Sequence, residues 1–465
     1  MDSKVKMIRN LRTSERNGNP RIFLESTVLE AGNFAVGEHI SYTITNNALV
    51  IQKTEDPSYK VAKRKRPSWK EHRPLIDYCN GDLGILFRAK EKIDILVSDS
   101  TIVIRKELSF DLCVIGQPRL EGEQPLKKLT FASFPSGAGV ASAALEETGY
   151  FESKMGADIW DLAVDSYLHN FSNGSLYFGD LRSINPAYIP SVDVSWLSPP
   201  CVEFSALGQL GKGVLEGLGV HFARVVMATG CKAIIIEQVP QYFKSRSFEQ
   251  LKGLLAPMFP FWNVSNIDAF DMGAVAGRRR GYAVAFADNE DFQFPAVQSL
   301  PEHRRTTVQQ IIGNDWEEGD WRKIEGSTMQ HLLNKSGNNN FTAEKNRTLV
   351  GLNDKKVSCF IANYSKINVT SSYFVHPENP SLWRPFRSDE IAKFLDVPEW
   401  FSFPENVSEN QRTRLLGQSV AANVVKAIGI EVAYTLMKQK VRKTIDQSFV
   451  VPVQKNQNNQ LAFIL

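Results

Sequence analysis

The chain has 465 residues, 43% of them hydrophobic and 23% charged, with a formal net charge of +3. Such a chain is expected to be a soluble globular protein of two or three domains, and its mild charge excludes nucleic-acid binding by overall basicity, leaving local patches. Cys79, Cys113, Cys201, Cys231 and Cys359 lack paired spacing and the seven histidines lack ligand spacing, which fits a reducing cytoplasm and argues against a metal site.

Met1 to Pro20 is charged and polar, without the apolar centre of a secretory signal, and is expected to be a disordered start. Residues 21–120 read as a small β-rich domain built on an internal repeat, in copies at about 30–53 and 83–106. Phe34, Glu38, Ile40, Val50, Ile51 and Lys53 each meet an identical residue 53 positions later. The first copy predicts strands over Ile40–Thr45 and Ala48–Gln52, joined by Asn46-Asn47 as a tight hairpin. One hairpin is marginal alone, so the two copies are expected to interleave into one small barrel. Between them, Lys63, Arg64, Lys65 and Arg66 form a basic run suited to phosphates, with a solvated linker as the alternative. This pattern resembles the swapped-hairpin units of bacterial transition-state regulators and antitoxins, which bind DNA as pairs.

From Leu129 the chain alternates strand and helix. Leu129 to Phe134 is an apolar strand, Pro135 to Gly139 a small-residue turn with Gly137 and Gly139, and Ala143 to Gly149 a helix. Together they predict a strand-turn-helix cradle whose backbone amides approach a charged ligand. Met155 to Trp160 reads as a second strand, placing Asp158 about 20 residues past the turn, where nucleotide folds set a carboxylate on ribose hydroxyls. A helix over Asp161–Phe171 and a third strand, Ser175–Phe178, lead to Gly179-Asp180. The extended run Val192 to Leu197 then enters Ser198-Pro199-Pro200-Cys201, a stiff turn presenting a cysteine at a strand end. That placement suits a nucleophile; a buried structural thiol is the alternative. The apolar strand Ala233 to Pro240 carries Glu237, whose desolvation would raise its pKa toward general-acid range. Arg278, Arg279 and Arg280 precede the strand that ends at Phe286. Residues 288–383, with Arg304, Arg305, the polar Lys335–Phe341 stretch and Ser358–Lys366, suit a surface that reads base edges.

In this order the segments resemble the motifs of the DNA (cytosine-5)-methyltransferase family, over roughly Leu129 to Met437. They include its Phe-x-Gly-x-Gly loop, Pro-Cys, Glu-Asn-Val, Gln-x-Arg-x-Arg and Gly-Asn-x-Val motifs. The resemblance implies an α/β, Rossmann-like class I methyltransferase domain at 125–287 and a smaller target-recognition region at 288–383. C-terminal motifs at 384–440, where Arg384 and Glu390 brace the recognition region, return to the catalytic domain before a tail at 441–465. It implies S-adenosylmethionine as cofactor, with Asp158 on the ribose, Trp160 on adenine and Asp180 on its amino group. Pro135, Gly137, Gly139, Pro199, Gln418 and Ser419 complete that pocket. Cys201 would add to carbon 6 of cytosine, Glu237 would serve ring nitrogen 3, and Arg280, with Arg278, would hold the base; a one-residue shift favours Arg279. Lys63, Arg64, Lys65, Arg66, Arg304 and Arg305 would contact double-stranded DNA, without any metal.

The departures are Pro135 for phenylalanine, with Phe134 as a substitute ring, Ala276 and Glu203 for glutamines, and Gln238 and Gln418 for asparagines. One family branch modifies transfer RNA, so an RNA substrate stays open, as does a DNA-binding protein without activity. A bacterial, phage or plasmid setting and a cognate restriction enzyme are also compatible.

Overall fold

The computed structural model describes residues 5–45, 48–65, 71–106, 128–200, 217–288, 292–297, 300–317, 319–334, 342–446, 453–455 and 461–463. Asn46-Asn47, Arg66, Cys201, Glu203 and the 335–341 stretch lie outside them. The chain opens with β1 (Met7–Arg12), β2 (Ser14–Arg16) and β3 (Asn19–Glu25), followed by α1 (Thr27–Ala31), β4 (His39–Ile44) and β5 (Ala48–Lys53). The start expected to be disordered is therefore folded from Met7 onward. Burial of Met7 and Ile8 in a strand paired with the Lys92–Ser98 strand of the second copy supplies the reason.

After β6 (Tyr59–Lys60) and β7 (Ala62–Arg64), the second copy supplies β8 (Arg73–Tyr78), α2 (Leu83–Leu86), β9 (Lys92–Ser98) and β10 (Thr101–Lys106). The copies meet about a pseudo-two-fold axis: β5 pairs antiparallel with β10 and β3 with β8. They also exchange strands, since β1 pairs with β9 while β6 pairs with β4. The residues repeated in the sequence perform the same task twice. Glu38 accepts the Ala35 amide at 2.8 Å and pairs with Lys53 at 2.8 Å; Glu91 accepts the Arg88 amide at 2.7 Å and pairs with Lys106 at 3.2 Å.

The segment from Leu129 contains β11 (Leu129–Phe134), α3 (Val140–Glu147), β12 (Phe151–Asp158), α4 (Asp161–Asn170), β13 (Ser175–Phe178) and β14 (Val194–Leu197). It continues through α5 (Leu218–Thr229), β15 (Ala233–Gln238), α6 (Arg246–Leu255), β16 (Phe261–Asp268) and β17 (Arg279–Phe286). Strands β13, β12, β11, β14 and β15 run parallel, and the β16–β17 hairpin closes that side with β17 antiparallel to β15. The expected Rossmann-like sheet is thus present, with β14 and β15 buried along their whole length, as parallel strands covered on both faces must be.

The repeat module is not a separate barrel. β1 pairs in parallel with β13, so β1, β9, β10, β5, β4 and β6 extend the Rossmann-like sheet to 13 strands, while β2, β3, β8 and β7 form a second sheet. At this junction Arg73 reaches Glu30 at 2.8 Å and Asp165 of α4 at 3.3 Å. Burial pushes the Asp165 carboxyl from 3.8 up to about 6, opposed by Thr27 and Arg73. A carboxyl raised in the folded state adds stability below its unfolded value, and that stability is lost as pH rises through about 6. Asp165→Asn should therefore remove a decline on the order of 2–3 kcal/mol between the two values. Urea titrations at several pH values check this, and a slope equal to wild type would contradict it.

The remaining elements are α7 (Val308–Ile312), β18 (Arg322–Lys323), α8 (Thr328–Asn334), β19 (Leu349–Val350), β20 (Tyr373–Val375) and β21 (Leu382–Arg384). Then follow α9 (Ser388–Phe394), α10 (Glu409–Gln418), α11 (Ala422–Asp446), β22 (Val453–Lys455) and β23 (Leu461–Phe463). Strands β18, β21, β20 and β19 make a small sheet around buried Phe360, Tyr364, Tyr373, Trp383 and Phe386. Helix α11 returns against α3, where a Cβ on Gly429 would stand 2.7 Å from Leu145. Among the described residues no single helix is long and apolar enough to cross a membrane.

Candidate active site

The sheet order reverses between β11 and β14, and the candidate residues gather at the carboxyl ends of the strands beside that point, where open α/β sheets hold ligands. In the turn after β11, Gly137 and Gly139 take φ of 56° and 98°, the left-handed region. A Cβ on Gly139 would meet the Phe171 ring at 2.5 Å, whereas one on Gly137 would enter open space. Asp158 ties the turn down: its two carboxylate oxygens accept the amides of Gly137 and Trp160, each at 2.9 Å. Burial pushes this carboxyl up, and the amides pull against that shift. The Asp158 carbonyl accepts the Gly179 amide at 2.9 Å, joining the ends of β12 and β13. Asp180 accepts Arg182 Nη2 at 2.6 Å, and that bond holds its carboxyl below the usual range. Phe134, offered as a substitute for the missing ring of the loop, is fully buried at the end of β11, opposite Leu197 of β14.

Parallel pairing of Leu197 with Ile236 brings the Pro-Pro turn out beside Glu237. Ser198 reaches the Glu237 carboxyl, and the Gln238 side chain donates to the Pro199 carbonyl. The glutamine found in place of asparagine thus ties β15 to the segment entering Cys201. Pro199 is buried in this tie. Glu237 is only 7% exposed, and its carboxylate lies 3.2 Å from Arg280 Nε. Burial raises its pKa, with Arg280, Arg278 and Ser198 opposing the rise.

Arg278 has a different post from the one expected. Its guanidinium donates to the carbonyls of Phe360 at 3.0 Å, of Gly417 at 3.2 Å and of Ser419, so it fastens the start of β17 to the Phe360 segment and to the C-terminal end of α10. Ala276, in the glutamine position, is buried and bridges to Val357. Gly417 is needed where it stands, because a Cβ there would lie 2.3 Å from the Ile361 backbone. Gln418 is exposed at the end of α10, and the Ser419 hydroxyl donates to the Leu416 carbonyl at 2.7 Å.

Sequence reasoning missed Arg414, whose guanidinium sits 4.8 Å from the centre of the Trp160 ring. A helical arginine carries no signal of that contact in its local sequence. Arg305 is also reassigned: it is buried, stacks on Phe270 at 3.7 Å and donates to that residue's carbonyl at 3.0 Å, while Arg304 is exposed. In the module, Lys63 and Lys65 are exposed, but Arg64 pairs with Glu25 at 2.5 Å. Arg384 holds Glu390 through contacts of 2.8 and 2.7 Å.

The sequence profile of C-5 cytosine-specific DNA methylases matches residues 129–433, well over half of the chain. The chain belongs to this family. The match to the C-5 cytosine-specific DNA methylases leaves the N-terminal repeat outside it. The Type II methyltransferase M.Bsp6I of Bacillus sp. (strain RFL6) is 29% identical over 182 residues, covering 37% of this chain and 58% of the relative. M.NgoBI of Neisseria gonorrhoeae is 28% identical over 187 residues, with coverages of 39% and 56%. The chain spans little more than half the length of these curated relatives. Among solved structures, the S. pombe Dnmt2 methyltransferase aligns with a TM-score of 0.52 at 18% identity, over 67% of this chain and 99% of that one. A Spodoptera frugiperda DNMT2 mutant gives 0.51 at 19% identity, over 66% and 100%. At such identities the likeness is one of fold, and it agrees with the methyltransferase sheet.

Proposed function

We propose that the chain transfers a methyl group from S-adenosylmethionine to carbon 5 of a cytosine flipped out of duplex DNA. The observation that carries this reading is the buried Glu237–Arg280 pair beside the turn that leads into Cys201. Carbon 5 of cytosine is not nucleophilic until the Cys201 thiolate adds to carbon 6 and makes the ring enamine-like. Glu237, whose protonated form burial favours, serves ring nitrogen 3, and Arg280 holds both that carboxyl and the base oxygen. Bound S-adenosylmethionine supplies the electrophilic methyl. Removal of the carbon 5 proton by a base then lets the cysteine leave, restoring the aromatic ring and the free thiol. Extracting the base from the stack costs roughly a few kcal/mol, which pocket contacts must offset.

The residues fit the cofactor. The open space above Gly137 and the left-handed turn at Gly139 make a cradle, which Pro135, Pro199 and Ser419 would complete. Asp158 would meet the ribose through lone pairs left over from its two amide bonds, Trp160 would stack on adenine, and Asp180 would take the amino group. Exposed Lys63, Lys65 and Arg304 suit duplex phosphates. The relatives' Type II designation supports a restriction partner, and the composition supports a cytoplasmic setting.

Competition between unmethylated duplex DNA and transfer RNA for labelled methyl groups tests the substrate. Incorporation into DNA, with RNA failing to compete at equal nucleotide concentration, is the expected result. Preferential labelling of RNA would overturn the DNA reading and retain the chemistry.

A further inference from the structure

The repeat module joins the catalytic sheet at a particular place. β1 pairs with β13, the strand that ends in Phe178-Gly179-Asp180, and Arg9 stands opposite Phe178. Its guanidinium lies 3.5 Å from the centre of the Phe178 ring, and Nη1 donates to the Phe178 carbonyl at 3.1 Å. The other side of this strand end is held by the Gly179 amide on the Asp158 carbonyl. A second tie follows a few residues on. The Tyr188 hydroxyl accepts from Arg105 Nε at 3.0 Å and donates to Asp94 at 2.9 Å, both residues belonging to the module. From the catalytic side, Arg224 of α5 donates to the Leu181 and Arg182 carbonyls at 3.0 and 3.1 Å. The segment carrying Asp180 is therefore fixed by the module along one flank and by α5 along another.

We infer that the N-terminal repeat module is a cofactor-positioning element, in which Arg9 and β1 set the Phe178–Asp180 corner against the adenosine end of S-adenosylmethionine. The inference rests on the proposed function, because it assigns that corner to adenosine. Arg9 is a positioning residue, acting through Phe178 and Asp180. A stacked cation and a hydrogen bond together hold the Phe178 carbonyl two residues before Asp180, and their loss lets the Asp180 carboxylate drift from its partner. Burial pushes the Arg9 guanidinium down to about 10, which leaves it charged at neutral pH.

Calorimetric titration of full-length wild type, Arg9→Ala, Arg9→Lys and Lys6→Ala with S-adenosylmethionine tests the assignment. Lys6 precedes the same strand, but its side chain pairs with Asp99. The expected result is a Kd raised roughly three- to tenfold in Arg9→Ala, with partial recovery in Arg9→Lys and no change in Lys6→Ala. The turnover rate at saturating cofactor and the KM for DNA should stay within about twofold, a split that general loosening of the fold would not give. If Arg9→Ala is insoluble, Phe178→Leu removes the stacked ring and should raise Kd in the same direction. Wild-type affinity in the soluble variants would overturn the inference alone. Absence of cofactor binding by wild type would instead overturn the function on which it rests.

Discussion

Replacing Cys201 by serine should abolish methyl transfer, by at least ~10⁴-fold, while binding of DNA and cofactor persists. A hydroxyl at this position is ionised far less than a thiol at neutral pH and adds poorly to carbon 6. Without that adduct carbon 5 has no carbanion character, and the other groups have no productive step to assist. Duplex DNA containing 5-fluorocytosine gives a sharper readout. After methyl transfer the fluorine cannot leave as a proton does, so wild type should accumulate a denaturant-resistant protein–DNA complex and Cys201→Ser should not. A serine variant that methylates within about tenfold of wild type would remove the nucleophile from the account.

The second large effect concerns stability. Arg384 and Glu390 are each 1% exposed in their side chains, and the Glu390 carboxylate also accepts the Arg387 amide at 2.8 Å at the start of α9. Arg384 lies near the Trp321 and Phe374 rings, at 5.3 and 5.0 Å from their centres. Glu390→Ala leaves that guanidinium buried without its counter-charge and should cost about 3–5 kcal/mol. The pair Arg322–Asp320 is a control, since its side chains are 45% and 76% exposed. Its loss should change stability by less than about 0.5 kcal/mol. Urea midpoints compare the two; a Glu390→Ala loss below about 1 kcal/mol would show that water or a rearranged partner satisfies Arg384.

The five parallel strands β11 to β15 were legible because each carries a local signature, an apolar run ending in a glycine turn, an acid or a proline, whereas β16 carries none and was not foreseen. Glu237 at the end of Ala233–Ile236 is an example, and its burial follows from that run. Contacts between distant segments were not legible. β1 looks like a charged start because Arg9, Asn10 and Arg12 interrupt its apolar residues, and its pairing with β13 spans 169 positions. Arg305 reads as a solvated cation until Phe270 is placed beneath it, and Arg278 as a base-holding group until three distant carbonyls surround it. The repeat itself was visible, yet its strand exchange depended on pairings between copies that residue spacing does not specify.

Mass spectrometry of nucleosides from plasmid DNA, after expression of the chain in a host without cytosine methylation, tests the central claim most directly. Wild type should produce 5-methylcytosine and Cys201→Ser should produce none. Soluble wild-type protein that leaves the plasmid cytosines unmodified would contradict the account.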